Sequence, residues 1–238
     1  MFKSKLKFDP PSLTRKLLLI AALLSTINIL VQIAIFQLGL RKEWFLLFNM
    51  DKEMNIPTFY TVGLLFSCAL LIRLIKNKLQ KSSNIIKKWK LLEWIFIFLA
   101  FDEALQIHEI LIIPDLKPFL PSALAIIWVI PYGIITFFLS IYFVPLMLEL
   151  PKRIKYLFIW SGSIYLLGAI GLEIVGNYLV RTGQIRLHGL PYGLITGLEE
   201  TMEIIGLIIF IYSLLKYLFI IQSKPIKINI RIEKSRTR

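Results

Sequence analysis

The sequence predicts an all-α integral membrane protein, and three observations support that prediction. The first is composition, since 57% of the 238 residues are hydrophobic and only 18% are charged, as is typical of polytopic membrane proteins. The second is the recurrence of long apolar runs separated by short polar connections. The third is that most basic residues occupy those connections. We therefore expect one polytopic helical bundle that forms a single transmembrane domain over residues 1–238.

Six apolar segments are long enough to cross about 30 Å of hydrocarbon at about 1.5 Å per residue. The predicted transmembrane helices cover residues 17–38, 57–75, 91–113, 124–148, 154–180 and 192–221, and a basic tail covers residues 222–238. No connection is long enough to form a separate soluble domain. One boundary stays open, because Pro131 allows residues 118–130 to belong to the fourth span or to form a short interfacial segment before it.

The distribution of charge predicts the orientation of the bundle. The formal net charge is +13, but the sequence has no nucleic-acid-binding motif, so we expect no nucleic acid partner. Most of the lysines and arginines fall in the N-terminal segment, the second and fourth connections and the C-terminal tail. By the positive-inside rule, both termini should be cytoplasmic. We expect the protein to lie in a prokaryotic plasma (inner) membrane, with the lipid bilayer as its partner. Because six spans are few for a monomeric carrier, we also consider a homo-oligomer.

The third span contains a dense polar segment in an otherwise apolar run. It holds Asp102, Glu103, Gln106, His108 and Glu109. On a continuous helix, Asp102, Gln106 and Glu109 would share one stripe, because each residue advances the helix by about 100°. Ionisable side chains at membrane depth face protein or a water-filled cavity rather than lipid. We therefore expect the third span at the centre of the bundle.

The fifth and sixth spans contribute the remaining polar candidates. Glu173 and Asn177 share a face of the fifth span, and Glu199, Glu200 and Glu203 share an arc of the sixth. The predicted orientation places all the acidic groups in the outer half of the bilayer. Because each lipid-exposed charge would cost about 2.5–3.5 kcal/mol, these carboxylates must be shielded, protonated or neutralised by a cation.

The same acidic groups are candidate metal ligands. Oxygen-rich sites suit Mg, Ca or Mn, and an added imidazole extends the choice to Fe or Zn. The predicted working site, which is also the candidate metal set, consists of Glu103, Glu109, Glu173, Glu200 and Glu203. Asp102 and His108 are expected to act as relay or supporting groups. His188, in the outer connection, is expected to be a solvated loop residue rather than a cap on the site.

Small residues indicate where helices should approach closely. Gly193 and Gly197 form a small-x-x-x-small pair on the sixth span, and Gly162, Ala169 and Gly176 recur every seven residues on the fifth. Such patterns are typical of helix packing in membranes.

A hexapeptide beginning Pro-Tyr-Gly occurs twice, at residues 131–136 and 191–196, with one difference. It indicates either a duplicated helical hairpin or convergence on a proline and an interfacial tyrosine near a helix start.

Three function classes follow from these features. The first is a multi-pass membrane protein that binds a cation or relays protons, as in a transporter or coupling component. The second is an intramembrane metal-dependent enzyme that acts on a lipid-like substrate through metal-bound water. The third is a membrane scaffold or assembly protein whose buried acids specify packing. The sequence contains no P-loop, Rossmann fingerprint, Gly-x-Ser-x-Gly elbow or His-Glu-x-x-His motif.

Overall fold

The computed structural model describes residues 9–52, 54–79, 82–107 and 129–222, and in these ranges the chain is helical without strands. The helices are α1 (Pro10–Phe36), a short 3-10 helix (Glu43–Leu47), α2 (Ile56–Lys78), α3 (Ser83–Leu105), α4 (Val129–Glu149), α5 (Lys152–Leu166), a π-helical turn (Leu167–Leu172), α6 (Glu173–Arg181) and α7 (Leu190–Ile221). The segment from α5 through the π-helical turn to α6 forms one helical stretch, Lys152–Arg181.

Five helical stretches in the described ranges are long and apolar enough to cross a membrane. They are α1, α2, α4, the α5–α6 stretch and α7. The prediction of an all-helical protein with membrane-compatible helices is confirmed. The predicted third span corresponds to α3, which is set apart by its charged side chains: Lys87, Lys88, Lys90, Glu93, Asp102 and Glu103. The count of six spans and the side of the termini stay predictions.

α3 ends before the predicted third span does. Its last residue is Leu105, and Gln106 takes a left-handed backbone with φ 55° while its N–H donates to the carbonyl oxygen of Asp102. A left-handed residue at a helix end redirects the chain. The expected stripe of Asp102, Gln106 and Glu109 on one continuous helix is therefore wrong. His108, Glu109 and the rest of residues 108–128 lie outside the described residues, as does the tail from residue 223.

α7, rather than the predicted third span, is the central helix. It packs against α1, α2, α5 and the π-helical turn, and its interior face includes the fully buried Ile204 and Ile208. It also contacts α3, because Trp89 stacks on Tyr217 with their ring centroids 5.7 Å apart. Polar groups carried on the interior face of α7 therefore have protein on several sides.

α3 runs antiparallel to α2. Near one end of the pair, Lys76 of α2 forms an ion pair with Glu93 of α3. Towards the other end, the rings of Phe66 and Phe101 meet edge to face, with centroids 5.8 Å apart. The two contacts show that α3 follows α2 back through the bundle.

α3 is also antiparallel to α4. The ammonium group of Lys88 donates to the backbone carbonyl oxygen of Tyr142 at 2.6 Å, and it lies 3.5 Å from the centroid of the Tyr142 ring. At the other end, the hydroxyl of Tyr132 donates to Asp102 Oδ1 at 3.0 Å. These polar contacts hold α4 to α3 at two depths.

Two glycines bring the α5–α6 stretch into backbone contact with α7. A Cβ atom at Gly206 would lie 2.9 Å from the carbonyl oxygen of Ser161 and 2.9 Å from the backbone nitrogen of Tyr165. A Cβ atom at Gly168 would lie 2.9 Å from the carbonyl oxygen of Glu199. Both positions exclude a larger side chain unless the helices separate.

The π-helical turn changes which small residues make these contacts. A Cβ atom at Gly162 would meet nothing within 4 Å, whereas one at Gly176 would lie 3.4 Å from the side chain of Ile195. Because a π-helical turn holds more residues than an α-helical turn, the seven-residue spacing of Gly162, Ala169 and Gly176 does not stay on one face. Gly168, which the spacing did not indicate, makes the close approach to the α7 backbone.

We predict that Gly206→Ala destabilises the protein by about 1–3 kcal/mol, because overpacking forces backbone shifts of that cost. Thermal unfolding of the purified protein in detergent measures the change. Gly162→Ala is the matched control, since the space around it is open and removing a helical glycine gains up to about 1 kcal/mol. Equal melting temperatures for Gly206→Ala and the unsubstituted protein would contradict the close approach of α5 and α7.

Candidate functional site

Three predicted acidic residues lie in the first half of α7. Glu203 is buried with 8% of its surface exposed, and Glu199 and Glu200 are partly buried. A Cβ atom at Gly168 would lie 3.2 Å from Glu203 Cγ. The close contact between the π-helical turn and α7 therefore encloses the base of the Glu203 side chain.

Tyr165 of α5 brings acids from two other helices together. It is partly buried and donates a side-chain hydrogen bond to Glu203, while the charges of Glu103 and Glu200 act on the same hydroxyl. We call Glu103, Tyr165, Glu200 and Glu203 the Tyr165 cluster. It joins α3, α5 and α7, so the structure assembles three of the acids that the sequence indicated.

Tyr192, at the start of α7, has a second group of carboxylates around it. The charges of Glu173 on α6, Glu199 on α7 and Asp51 in the first connection act on the Tyr192 hydroxyl. We call these four residues the Tyr192 cluster. Because Glu199 and Glu200 are consecutive residues of α7, the Tyr192 cluster and the Tyr165 cluster are adjacent along this helix.

A third tyrosine, Tyr132 of α4, contacts Asp102, which is another predicted site residue of α3. Asp102 is buried with 6% of its surface exposed and accepts the hydrogen bond from Tyr132. Tyr132 and Tyr192 are the second residues of the two Pro-Tyr-Gly hexapeptides. In both, the tyrosine lies near an acid of the preceding span, Asp102 in one and Glu173 in the other. The repeated hexapeptide was thus the sequence signal for tyrosines that the sequence analysis treated as interfacial.

Buried amides place Asp51 in this site, and the sequence analysis missed them. Gln32 Nε2 on α1 donates to Asn49 Oδ1 at 2.7 Å, and Asn28 Oδ1 accepts from the N–H of Met50 at 3.0 Å. The N–H of Asp51 donates to Asn49 Oδ1 at 2.9 Å. The first connection therefore folds back against the bundle, where side-chain amides hold Asn49, Met50 and Asp51 in place.

Gly193 and Gly197 of α7 make room for the same amides. A Cβ atom at Gly193 would overlap the side-chain amide of Gln32, and one at Gly197 would overlap Asn28 Nδ2. The close approach at these two glycines is thus between the α7 backbone and amide side chains of α1. Gln32 and Asn28 of α1 therefore contact both the first connection and the α7 backbone.

His188 lies at the outer edge of the Tyr192 cluster. Its side chain is 58% exposed, as expected for a loop histidine, yet its Nδ1 atom lies 3.3 Å from Asp51 Oδ2. The His188 ring also meets the Tyr192 ring edge to face, with centroids 5.8 Å apart. His188 therefore covers the site as well as facing solvent.

The other predicted residues are placed as follows. Asn177 lies one turn after Glu173 on α6 and is partly buried, and Gln106 lies at the left-handed end of α3. Within the described ranges, no three His, Cys, Asp or Glu side chains are grouped so that they could hold a metal ion. Glu103, Glu173, Glu200 and Glu203 thus do not form one coordination site there. Glu109 and His108 lie outside the described residues.

The fold and the site define a class of protein: an all-helical chain with membrane-compatible helices and tyrosine-linked carboxylates in its interior. The family described as "Domain of unknown function (DUF8692)" matches residues 15–218, and the chain belongs to that family. The match runs from α1 to near the end of α7 and so includes every described residue of the two clusters. No curated protein and no solved structure matches the chain.

We predict that Asn49→Ala loosens the first connection. The substitution leaves the buried Gln32 amide and the Asp51 N–H without their acceptor, and each unsatisfied donor costs about 1–3 kcal/mol. Hydrogen exchange measured by mass spectrometry should become faster at residues 49–52. Gln184→Ala, which removes an exposed amide from another connection, should leave exchange at residues 49–52 unchanged. Slow exchange in both variants would show that Asn49 does not anchor this segment.

Proposed function

We propose that the protein is a membrane transporter or coupling component that holds and relays protons through the Tyr192 and Tyr165 clusters. The observation that carries the proposal is the hydrogen bond from the Tyr165 hydroxyl to Glu203, with the charges of Glu103 and Glu200 acting on the same hydroxyl. A phenol that donates to a carboxylate is suited to sharing and passing a proton. Chains of ionisable groups within spans are the usual material of proton pathways.

Energetics favours protons as the species that the clusters hold. A charge at the centre of a membrane helix costs about 2.5–3.5 kcal/mol on insertion scales. Carboxylates that share protons within a cluster carry fewer net charges than the same groups fully ionised. A hydroxyl that already donates to Glu203 fits this arrangement better than a metal centre, which needs several lone pairs directed at one point.

The proposal gives the pathway a direction in the bundle. The Tyr192 cluster lies at the start of α7 and includes Asp51 of the first connection, so it is the outer station. The Tyr165 cluster lies deeper, since its α7 residues are about two to three helical turns beyond Tyr192. Glu199 and Glu200 join the two stations. Protons would therefore move between the outer aqueous phase and the interior of the bundle along α7.

We propose further that α3 also spans the membrane, which gives six spans in total, and that both termini are cytoplasmic, in a prokaryotic plasma membrane. The 23 residues of α3 correspond to about 35 Å of helix, and α3 runs antiparallel to two candidate spans over its length. Its lysines are confined to the first third, near the expected cytoplasmic surface. Asp102 and Glu103 would then lie in the outer half of the bilayer.

We predict that the protein shows an infrared band from protonated carboxylic acids at neutral pH and that Glu203→Gln weakens it. Tyr165→Phe should move the band to higher frequency, because the acid carbonyl then loses a hydrogen bond. Glu43→Gln removes an exposed glutamate of the 3-10 helix and should leave the band unchanged. A spectrum without this band from mildly acidic to mildly alkaline pH would exclude the proposed proton storage.

Orientation can be measured separately by cysteine labelling in a Cys68→Ser background, since Cys68 is the one cysteine and is buried. We predict that Gln184→Cys reacts with an impermeant maleimide added to intact cells. Asn77→Cys, in an exposed part of α2 near its end, should react only after the membrane is opened. The opposite labelling pattern would show that the orientation is reversed and that the carboxylates lie in the cytoplasmic half of the bilayer.

A further inference from the structure

We propose that His188 collects protons from the outer aqueous phase and passes them to Asp51, which is the first internal group of the pathway. This inference rests on the proposed function, because it assigns an access point to the same proton site. His188 is 58% exposed, whereas the Asp51 side chain is only 9% exposed, and the two side chains meet at 3.3 Å. An exposed imidazole thus covers a carboxylate that solvent hardly reaches.

Asp51 faces the interior as well as His188. Its charge acts on the Tyr192 hydroxyl, as do the charges of Glu173 and Glu199. The His188 and Tyr192 rings are in edge-to-face contact at 5.8 Å. Asp51 therefore contacts the solvent-exposed imidazole of His188 and shares with Glu173 and Glu199 an electrostatic interaction with Tyr192.

The positions of both groups are fixed by the surrounding structure. The N–H of Asp51 and the N–H of Met50 are hydrogen bonded to the buried Asn49 and Asn28 side chains. His188 takes a left-handed backbone with φ 55°, a conformation that non-glycine residues adopt at an energetic cost. A contact held at that cost positions the imidazole over Asp51 instead of leaving it free in the connection.

The proton transfer involves no group beyond these two and water. In the neutral tautomer with hydrogen on Nδ1, the imidazole takes a proton at its other ring nitrogen, Nε2, from a hydronium ion of the aqueous phase, which becomes water. The Nδ1 proton then moves to Asp51 Oδ2, which leaves the imidazole neutral and the carboxyl group protonated. Histidine is the ordinary proton carrier near neutral pH. Exchange between the tautomers through solvent restores the starting state.

Lys52 provides a matched control for this assignment. It is the other cation beside Asp51, with Nζ 3.9 Å from Oδ2 and a side chain that is 47% exposed. A lysine ammonium contributes charge without acting as a proton carrier at neutral pH. The charges of Glu173 and Glu199 act, together with that of Asp51, on the Tyr192 hydroxyl. Electrostatic and proton-carrying effects on Asp51 can thus be separated.

The test is a rapid pH jump on the full-length protein in nanodiscs, followed through the infrared band of protonated carboxylic acids. His188→Asn is the variant of choice, since asparagine tolerates the left-handed backbone. We expect the same final band amplitude as in the unsubstituted protein, reached several-fold more slowly. Imidazole added to the buffer should restore the rate. Lys52→Gln should leave the rate unchanged.

The outcomes separate the two proposals. An unsubstituted protein without a titrating band overturns the proposed function and, with it, this inference. A band that titrates at the same rate in the unsubstituted protein and in His188→Asn overturns the role of His188 alone. Equal slowing in Lys52→Gln and His188→Asn, without rescue by imidazole, would show that charge near Asp51 rather than proton collection sets the rate.

Discussion

The cost of placing carboxylates at membrane depth is the constraint on which the rest of this structure depends. A single exposed charge costs about 2.5–3.5 kcal/mol on insertion scales, so acids on membrane-compatible helices must be enclosed by protein. The clusters lie along α7, the helix with the most protein around it. The hydroxyl of Tyr165 on α5 donates to Glu203, and the charges of Glu173, Glu199 and Asp51 act on the hydroxyl of Tyr192, at the start of α7. The carboxylates of α7 are therefore enclosed by protein because α7 lies at the centre of the bundle.

Enclosure depends on two features that act at different depths. In the bundle, Gly168 and Gly206 let the α5–α6 stretch reach the backbone of α7, which covers Glu203. Near the start of α7, Gln32 and Asn28 hold the first connection against the bundle, so that Asp51 becomes part of the site. His188 contacts Asp51 there, and its own side chain is 58% exposed.

The sequence predicts the helical class and membrane-compatible stretches because composition and run length determine both. It does not predict the end of α3, because a left-handed residue such as Gln106 arises from local backbone geometry and has no signature in hydropathy. The π-helical turn is equally hidden, and it transfers packing from Gly162 to Gly168. The acids were found as charges in apolar runs. Their tyrosine partners were missed because a tyrosine near a helix start also fits a membrane interface.

The central claim is that α3 and α7 bring their carboxylates together beside Tyr165. Chemical cross-linking tests it directly, with Glu103→Cys and Glu203→Cys combined in the Cys68→Ser background and a short reagent that joins two thiols. The control pair combines Glu103→Cys with Leu198→Cys, because Leu198 lies on the exposed side of α7. The structure predicts an intramolecular link in the first pair and none in the control. A link in the control alone, or in neither pair, would contradict the assembly of one site from these helices.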